Sequence, residues 1–278
     1  MHWVPLVASL IAAAAIAPTT VRALAAQGMV RENYRGAVAA FPTGIAIVTS
    51  ALVALVPLSL LDELADIDVF RAGTGQAITY VIGVALLGLL DDLVGTGSGM
   101  PRGWRGHARA AAGGSMSTGA LKAAGSLGLA LYVMAGRGLD AGDYLLAVAV
   151  LVLATNLFNL LDLRPGRSAK ALVLLGAGLT LGSWDAGPLW TLGLFLGPIL
   201  VLLPLDLREL GMLGDTGSNA IGAVAGLWLV LTLSTLGLGI AAGLLAVITL
   251  YGEFRSISAL VDRTPGLRQL DLLGRSHA

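Results

Sequence analysis

The sequence predicts an all-α, polytopic integral membrane protein with about nine transmembrane helices. Three observations lead to this fold class. First, 56% of the 278 residues are hydrophobic and only 12% are charged, against roughly 25% charged residues in an average soluble domain. Second, apolar runs of about 17 to 24 residues recur along the chain, each long enough to cross a hydrocarbon core of roughly 30 Å. Third, the connectors between these runs alternate in charge.

The predicted spans cover, in chain order, 3–26, 42–61, 76–94, 118–136, 143–161, 168–184, 187–204, 218–235 and 237–253. The first span ends in a pattern of small residues like that of a signal peptide, but no positive segment precedes it, so we interpret it as a retained span. Beyond the last span, apolar residues recur at helical spacing on both sides of Pro265–Gly266, which predicts two short interfacial helices. The chain therefore divides into a transmembrane domain (1–253) and an amphipathic tail (254–278).

Lysine and arginine residues near span ends indicate orientation, because they accumulate on the cytoplasmic side of a membrane. With the N-terminus outside, all but two of the 17 lysines and arginines lie inside, and the exceptions are Arg71 and Arg137. This orientation predicts a plasma-membrane protein with a cytoplasmic tail. The formal net charge is zero and the chain has no cysteine. We therefore expect no nucleic-acid partner, and disulfides, thiolate metal ligands and cysteine nucleophiles are excluded.

Acidic and amide side chains gather at the cytoplasmic ends of three predicted spans. They are Asp91 and Asp92 after the third span, Asn156, Asn159 and Asp162 in "NLFNLLD" at the end of the fifth, and Asp215 in "GDTGSNAIG" before the eighth. A carboxylate at the bilayer midplane costs roughly 2.5–3.5 kcal/mol, so acids within spans need an explanation. For any one cluster, two explanations are equally good: a functional site, or acids at a helix end whose side chains reach the membrane interface. Three clusters at one depth favour a functional site that faces the cytoplasm.

Carboxylate and amide oxygens without thiols suit Mg²⁺ or Mn²⁺, which keep water ligands and bind substrate phosphates. The glycine-rich connector around Asp215 allows the backbone to approach a ligand closely. Arg105 and Arg164 lie in connectors on the same side and can bind phosphates, although topology alone also explains arginines there. The row Asn156, Asn159 and Asp162 either ties helices together or receives a polar substrate.

The ordered set "DD", "NLFNLLD" and "MLGDTGSNAIG" resembles the polyprenyl-phosphate N-acetylhexosamine-1-phosphate transferases, from about residue 31 to 271. That family includes phospho-N-acetylmuramoyl-pentapeptide translocase and N-acetylglucosamine-1-phosphate transferases. The resemblance implies transfer of a sugar 1-phosphate from a UDP-N-acetylhexosamine to polyprenyl phosphate, with Mg²⁺ and release of UMP. Such a reaction is the first membrane step of cell-envelope glycan synthesis. Members of the family often form homodimers.

The resemblance also implies roles for individual residues. Four aspartates match the catalytic positions of the family: Asp91, Asp92, Asp162 and Asp215. Of these, Asp91 and Asp92 match the paired acids near the lipid phosphate, and Asp215, with Asp92, is the expected metal ligand. The expected substrate-binding residues are Asn156, Asn159, Lys122, Arg105, Arg164 and Arg255.

Two departures from the family pattern affect substrate recognition. "DLRPG" places Leu163 and Pro165 where members carry a glycine and a second acid near the expected uracil pocket. The last cytoplasmic connector, "YGEFRSISALVDR", has no histidine where members carry a histidine-rich motif. Arg255 either takes over diphosphate binding there or faces lipid headgroups.

Alternative functions remain open at this point. The donor is expected to carry N-acetylglucosamine, because nothing in the sequence suggests a pocket for a peptide stem; phospho-MurNAc-pentapeptide transfer is the alternative within the family. A transporter of lipid-linked sugars is the rival from another class, although transporters usually bind substrate near the midplane. A catalytically inactive relative that acts as a scaffold is a third possibility. A CDP-alcohol transferase is disfavoured, because the sequence has no Asp-Gly-x-x-Ala-Arg pattern.

Overall fold

The computed structural model describes residues 1–95 and 118–276, and this part of the chain is mostly helical. The helices are α1 (Val4–Ala26), α2 (Ile45–Leu64), α3 (Thr74–Val94), α4 (Thr118–Met134), α5 (Ala141–Leu161), α6 (Arg167–Ser183), α7 (Gly187–Thr191), α8 (Gly193–Leu207), α9 (Gly214–Thr232), α10 (Thr235–Phe254), α11 (Ile257–Arg263) and α12 (Pro265–Leu272). The sequence did not predict the antiparallel hairpin of β1 (Val30–Glu32) and β2 (Val38–Ala40), which follows α1.

Five of the described helices are long and apolar enough to cross a membrane: α1, α2, α3, α5 and α10. Helices α4 and α8 are apolar but shorter. The prediction of an all-α, membrane-embedded protein is confirmed at this level, whereas the nine spans and their orientation stay predictions. The predicted span 187–204 is not one continuous helix, because α7 ends at Thr191 and α8 begins at Gly193.

Helix α9 lies at the centre of the bundle. Every residue from Thr216 to Leu229 is buried, and the helix packs against α3, α5 and α6. Its glycines allow a close approach to α5: a Cβ atom on Gly222 would lie 2.7 Å from the Cα atom of Thr155. Small residues at such positions let helix backbones approach within a membrane. The neighbouring helices therefore fix the position of α9, whose first turn carries Asp215.

The remaining helices complete two sides of the bundle. Helix α1 packs against α2 and α8, α4 packs against α3 and α5, and α10 packs against α5. Helices α3, α5 and α8 end, and α4, α6 and α9 begin, at the end of the bundle that we call the polar end. At the opposite end, the N-terminal ammonium of Met1 donates to the backbone oxygen of Asp68 over 3.0 Å.

The tail folds back onto the polar end as the two short helices α11 and α12, as its periodicity predicts. Arg167 donates to both carboxylate oxygens of Asp271, over 2.8 and 3.1 Å, and Arg275 donates to Asp271 over 2.7 Å. Lys170 donates to three backbone oxygens at the end of α12, including that of Leu270 at 2.9 Å. Arg167 and Lys170 therefore bind the tail.

Candidate functional site

A cavity of about 210 Å³ opens at the polar end of the bundle. It brings together one acid from each of the three clusters that the sequence predicts, namely Asp92, Asp162 and Asp215. The other polar residues of its lining are Asn159, Asp206, Glu209, Arg164, Arg31, Asn33 and Tyr34. The three acids come from the ends of α3 and α5 and from the start of α9, so the bundle joins parts of the chain that are far apart in sequence.

Asp92 caps the N-terminus of α9. Its carboxylate accepts hydrogen bonds from the backbone N–H groups of Asp215 (2.9 Å) and Thr216 (2.8 Å) and from the Thr216 hydroxyl (2.6 Å). The first N–H groups of a helix have no partner within the helix, and a carboxylate there also interacts favourably with the helix dipole. The geometry therefore makes Asp92 a positioning residue for Asp215. Its expected role as a metal ligand stays a prediction.

Lys122 lies between two carboxylates. Its ammonium group contacts Asp215 and lies 3.4 Å from Asp91. Asn159 donates to the same oxygen of Asp215 over 3.2 Å, and its carbonyl accepts from Ser218 over 3.3 Å. One positive charge thus compensates two negative ones at the start of α9. These contacts bring together four of the residues that the sequence predicts for the site.

Asp162 follows the last residue of α5, next to a second buried acid. Burial, together with the negative charges of Asp206, Asp215 and Asp92, raises the pKa of Asp162 well above its ordinary value. Asp206 at the end of α8 accepts the backbone N–H of Gly166 over 2.7 Å. A wall with this many acids and few compensating charges attracts a cation.

A second part of the lining carries cationic and aromatic groups. Arg31 of β1 lies over the ring of Phe41, 3.7 Å from its centroid, and donates to the backbone oxygen of Asp92 over 2.8 Å. Arg164 lies over the ring of Tyr34, 4.2 Å from its centroid. The cavity therefore has an acidic wall built by α3, α5 and α9 and a basic, aromatic wall built by the hairpin and the loop after α5.

Of the predicted substrate-binding residues that the structure describes, three are absent from the lining of this cavity: Lys122, Asn156 and Arg255. Lys122 nevertheless contacts Asp215, which lines the cavity. Asn156 and Arg255 are exposed, and Arg105 lies outside the described residues.

Sequence reasoning assigned no role in the site to Arg31, Tyr34 or Asp206. For the first two, the sequence offers only a weak signal: "VRENYRGAVAA" has turn residues at Asn33 and Gly36, but the strands on either side are only three residues long and show no clear alternation.

The donor set of the acidic wall fits a hard divalent cation. Within the part of the chain that the structure describes, no three acidic, histidine or cysteine side chains are grouped closely enough to hold a metal ion by themselves. Mg²⁺ does not require such a cage, because it is usually bound by one or two carboxylates, water and the phosphates of the substrate. Asp215, with Asn159 and Asp91 beside it, satisfies this weaker requirement.

No protein-family model matches the chain, and no curated protein matches its sequence.

Proposed function

We propose that this protein transfers N-acetylhexosamine 1-phosphate from a UDP-sugar to polyprenyl phosphate, in the presence of Mg²⁺ or Mn²⁺, and releases UMP. The observation that carries the proposal is the convergence of Asp92, Asp162 and Asp215 on one cavity at an end of an apolar helix bundle. The ordered motifs that resemble the transferase family supply the reaction. N-acetylglucosamine is the sugar that we propose.

The position of the cavity suits the two substrates. The acceptor has an apolar prenyl chain that dissolves in the bilayer and a phosphate that does not, whereas the donor is soluble in water. A cavity at the polar end of a membrane bundle lets both phosphates meet at the interface. This position also distinguishes the proposal from transport, since transporters usually place their substrate site near the midplane.

The reaction is a single in-line displacement. An oxygen of the polyprenyl phosphate forms a bond to the β-phosphorus of the UDP-sugar, and the bond from that phosphorus to the bridging oxygen breaks. UMP leaves with the bridging oxygen and its electron pair. No base is needed, because the attacking phosphate is already ionised near neutral pH. Positioning and charge compensation therefore dominate catalysis, as in other phosphoryl transfers.

The residues of the acidic wall have distinct roles in this proposal. Asp215, supported by Asn159, is the principal ligand of the divalent cation, which compensates the charge of the diphosphate when it is bound. Asp91 adds a second negative charge beside Asp215 that favours the binding of the cation. Asp92 holds the first turn of α9, and with it Asp215, in place.

Lys122 occupies the space between Asp91 and Asp215. We propose that it turns to a substrate phosphate when the cation binds, because an ammonium group and a divalent cation compete for the same carboxylate oxygens.

We also propose nine spans with the N-terminus outside, an active site that faces the cytoplasm from the plasma membrane, and a homodimer. The polar end is the C-terminal end of α3, α5 and α8 and the N-terminal end of α4, α6 and α9, as alternating spans require. Arg31, Arg164 and Arg167 gather there, which agrees with the positive-inside rule.

The test is an assay of UMP release by the purified full chain in lipid nanodiscs, with Mg²⁺, polyprenyl phosphate and a panel of UDP-sugars. We expect UMP to appear with one UDP-N-acetylhexosamine, only when polyprenyl phosphate is present, and to disappear with EDTA. Asp215→Asn is expected to abolish turnover while the protein stays folded and melts cooperatively. Asp68→Asn, at the opposite end of the bundle, is the matched control and is expected to keep full activity.

Two outcomes would reject the proposal. Movement of a lipid-linked sugar across the bilayer without UMP release would identify a transporter. No turnover with any donor, from a protein that melts cooperatively, would favour the inactive scaffold. Full activity of Asp215→Asn would remove this residue from the metal site.

A further inference from the structure

Two guanidinium groups line the cavity without a carboxylate partner among residues 1–95 and 118–276: Arg31 and Arg164. Other nearby arginines are paired. Arg167 and Arg275 bind Asp271, and Arg35 binds Glu209 over 3.5 Å. Guanidinium groups without a carboxylate partner in a partly enclosed cavity favour the binding of an anion, and guanidinium groups bind phosphate with two parallel hydrogen bonds.

Both arginines are held in place by aromatic rings. Arg31 lies over Phe41 and is bonded to the backbone of Asp92, so its position is fixed relative to the acidic wall. Arg164 and Tyr34 form a stacked pair, and Tyr34 is 41% exposed. A planar cation on an aromatic ring offers a flat surface on which a further planar group can stack.

The hairpin that carries Arg31 and Tyr34 is attached firmly to the segment that precedes α9. Asn33 donates to Glu209 over 2.7 Å. The backbone N–H of Met212 donates to the oxygen of Ala40 over 2.8 Å, next to a bridge between Ala40 and Gly211. Hydrogen bonds therefore join the hairpin, with Arg31 and Tyr34, to the segment that leads to Asp215, so a ligand that contacts both meets preformed partners.

We propose that the hairpin and the loop after α5 form the nucleotide subsite of the donor, in which Arg31 and Arg164 bind the diphosphate and the pyrimidine base stacks on the Tyr34–Arg164 pair. This inference rests on the proposed function. A nucleoside diphosphate matches the cavity because it combines two anionic phosphates with a planar ring, while the acidic wall accepts the cation that accompanies it. In this subsite, Tyr34 of the hairpin and Arg164 of "DLRPG" would contact the base. In the family pattern, a glycine and a second acid near Arg164 are expected at the uracil pocket.

A lipid phosphate offers the same anion as the donor but no planar ring, so Tyr34 distinguishes the two sources. The experiment measures the binding of UDP, inorganic pyrophosphate and polyprenyl phosphate to the full chain in nanodiscs with Mg²⁺, by calorimetry, and needs no turnover. The variants are Arg31→Gln, Arg31→Lys, Arg164→Gln, Tyr34→Leu and Tyr34→Phe. Arg35→Gln, which removes the same charge from the same hairpin outside the cavity lining, is the matched control.

We expect Arg31→Gln and Arg164→Gln to weaken both UDP and pyrophosphate about tenfold, as expected for the loss of a charge-assisted hydrogen bond. Arg31→Lys keeps the charge and is expected to lose less. Tyr34→Leu is expected to weaken UDP about tenfold, in line with the loss of a stacked base, but to leave pyrophosphate unchanged. Tyr34→Phe keeps the ring and is expected to lose much less UDP affinity than Tyr34→Leu, whereas Arg35→Gln is expected to bind UDP as the unmodified chain does. All variants should still melt cooperatively.

The inference is overturned if the unmodified chain does not bind UDP, or if Tyr34→Leu binds UDP and pyrophosphate as the unmodified chain does. It is also overturned if the arginine variants lose affinity for polyprenyl phosphate while UDP binding is unaffected, because the anion is then the lipid phosphate. The two proposals fail separately. UDP binding that depends on Tyr34, without UMP release in the transfer assay, rejects the transfer reaction but keeps the subsite, whereas turnover that is insensitive to all five substitutions rejects the subsite alone.

Discussion

The carboxylate of Asp92 accepts two hydrogen bonds from Thr216, one from the backbone N–H at 2.8 Å and one from the hydroxyl at 2.6 Å. Both residues are buried. This contact joins the last turn of α3 to the first turn of α9 and sets the direction in which Asp215 leaves the helix. Asp91, the residue before Asp92, does not join this cap; its carboxylate lies 3.4 Å from the ammonium group of Lys122.

We expect Asp92→Asn to destabilise the protein by about 2 kcal/mol, because an amide group offers one acceptor where two N–H groups and a hydroxyl converge. Thr216→Val, which keeps the shape of the side chain, is expected to cost about 1 kcal/mol. Melting temperatures in nanodiscs measure both effects. An unchanged melting temperature of Asp92→Asn would contradict the capping role, and UMP release by Thr216→Val shows whether the cap also supports activity.

The sequence predicted that acids from three spans meet, because each motif lies at a helix end on the same predicted side of the membrane. It did not predict which of the two adjacent acids, Asp91 or Asp92, contacts which neighbour. Adjacent residues on a helix point about 100° apart, so Asp91 and Asp92 meet the start of α9 in different ways. Asp92 accepts from the backbone of α9, whereas Asp91 shares Lys122 with the side chain of Asp215, and only packing decides which acid takes which place. Asn159 contacts Asp215, whereas Asn156, almost one turn earlier on α5, is exposed.

The hairpin was missed for a different reason. Its strands are too short for a clear alternation, and they are stabilised by contacts with residues about 170 positions later, such as Asn33 with Glu209 (176 positions apart). Local patterns carry no information about such contacts. Glycines within apolar spans suit close helix packing, but the sequence does not show which of them pack. A Cβ atom on Gly83, Gly176 or Gly226 would meet neighbouring atoms within 3.2 Å, whereas one on Gly178 would meet nothing within 4 Å.

Replacement of Lys122 tests whether its ammonium group stands where a cation binds. We expect Lys122→Met to lower the melting temperature without metal, because Asp91 and Asp215 then repel each other. Mg²⁺ or Mn²⁺ should raise the melting temperature of the variant more than that of the unmodified chain, since a ligand that binds more tightly stabilises the folded state more at the same concentration.

Lys170→Met serves as the control for the loss of a lysine at the polar end, because Lys170 binds the tail and not the cavity. Its response to Mg²⁺ should equal that of the unmodified chain. An identical metal response of Lys122→Met would place the cation away from Asp215.

The ion pair of the tail makes stability depend on pH in the acid range. Burial by itself raises the pKa of Asp271, but the hydrogen bond and charge of Arg167 and the charges of Arg275 and Lys170 outweigh burial, so the pKa lies below its ordinary value. A lowered carboxyl pKa contributes stability that is fully present above the unfolded pKa of about 4 and is lost as the pH falls through the folded value.

We therefore expect Asp271→Asn to lose about 3 kcal/mol at neutral pH, as measured when one partner of a buried pair is removed. Melting temperatures from neutral pH downwards should fall for the unmodified chain below about pH 4 and fall less for Asp271→Asn. Asp262→Asn, in the same tail, is the control. Parallel pH curves for Asp271→Asn and the unmodified chain would contradict the proposed source of the pH dependence.

The close packing of α9 on α5 is tested by a pair of glycine substitutions. A Cβ atom on Gly222 would lie 2.7 Å from the Cα atom of Thr155 and 2.9 Å from the backbone oxygen of Ala154, whereas a Cβ atom on Gly178 in α6 meets nothing within 4 Å. Both glycines are helical, so alanine gains the same helix propensity at each. Gly178→Ala should therefore be neutral or stabilising by up to about 1 kcal/mol.

Gly222→Ala is expected to destabilise the protein by about 2 kcal/mol, because backbone atoms on α5 cannot move aside as a flexible side chain can. Separation of α5 from α9 would also lengthen the 3.2 Å contact between Asn159 and Asp215, so UMP release should fall in Gly222→Ala and stay constant in Gly178→Ala. Equal melting temperatures for the two variants would show that the helices can separate without cost, and the rigid placement of Asp215 by α5 would then be wrong.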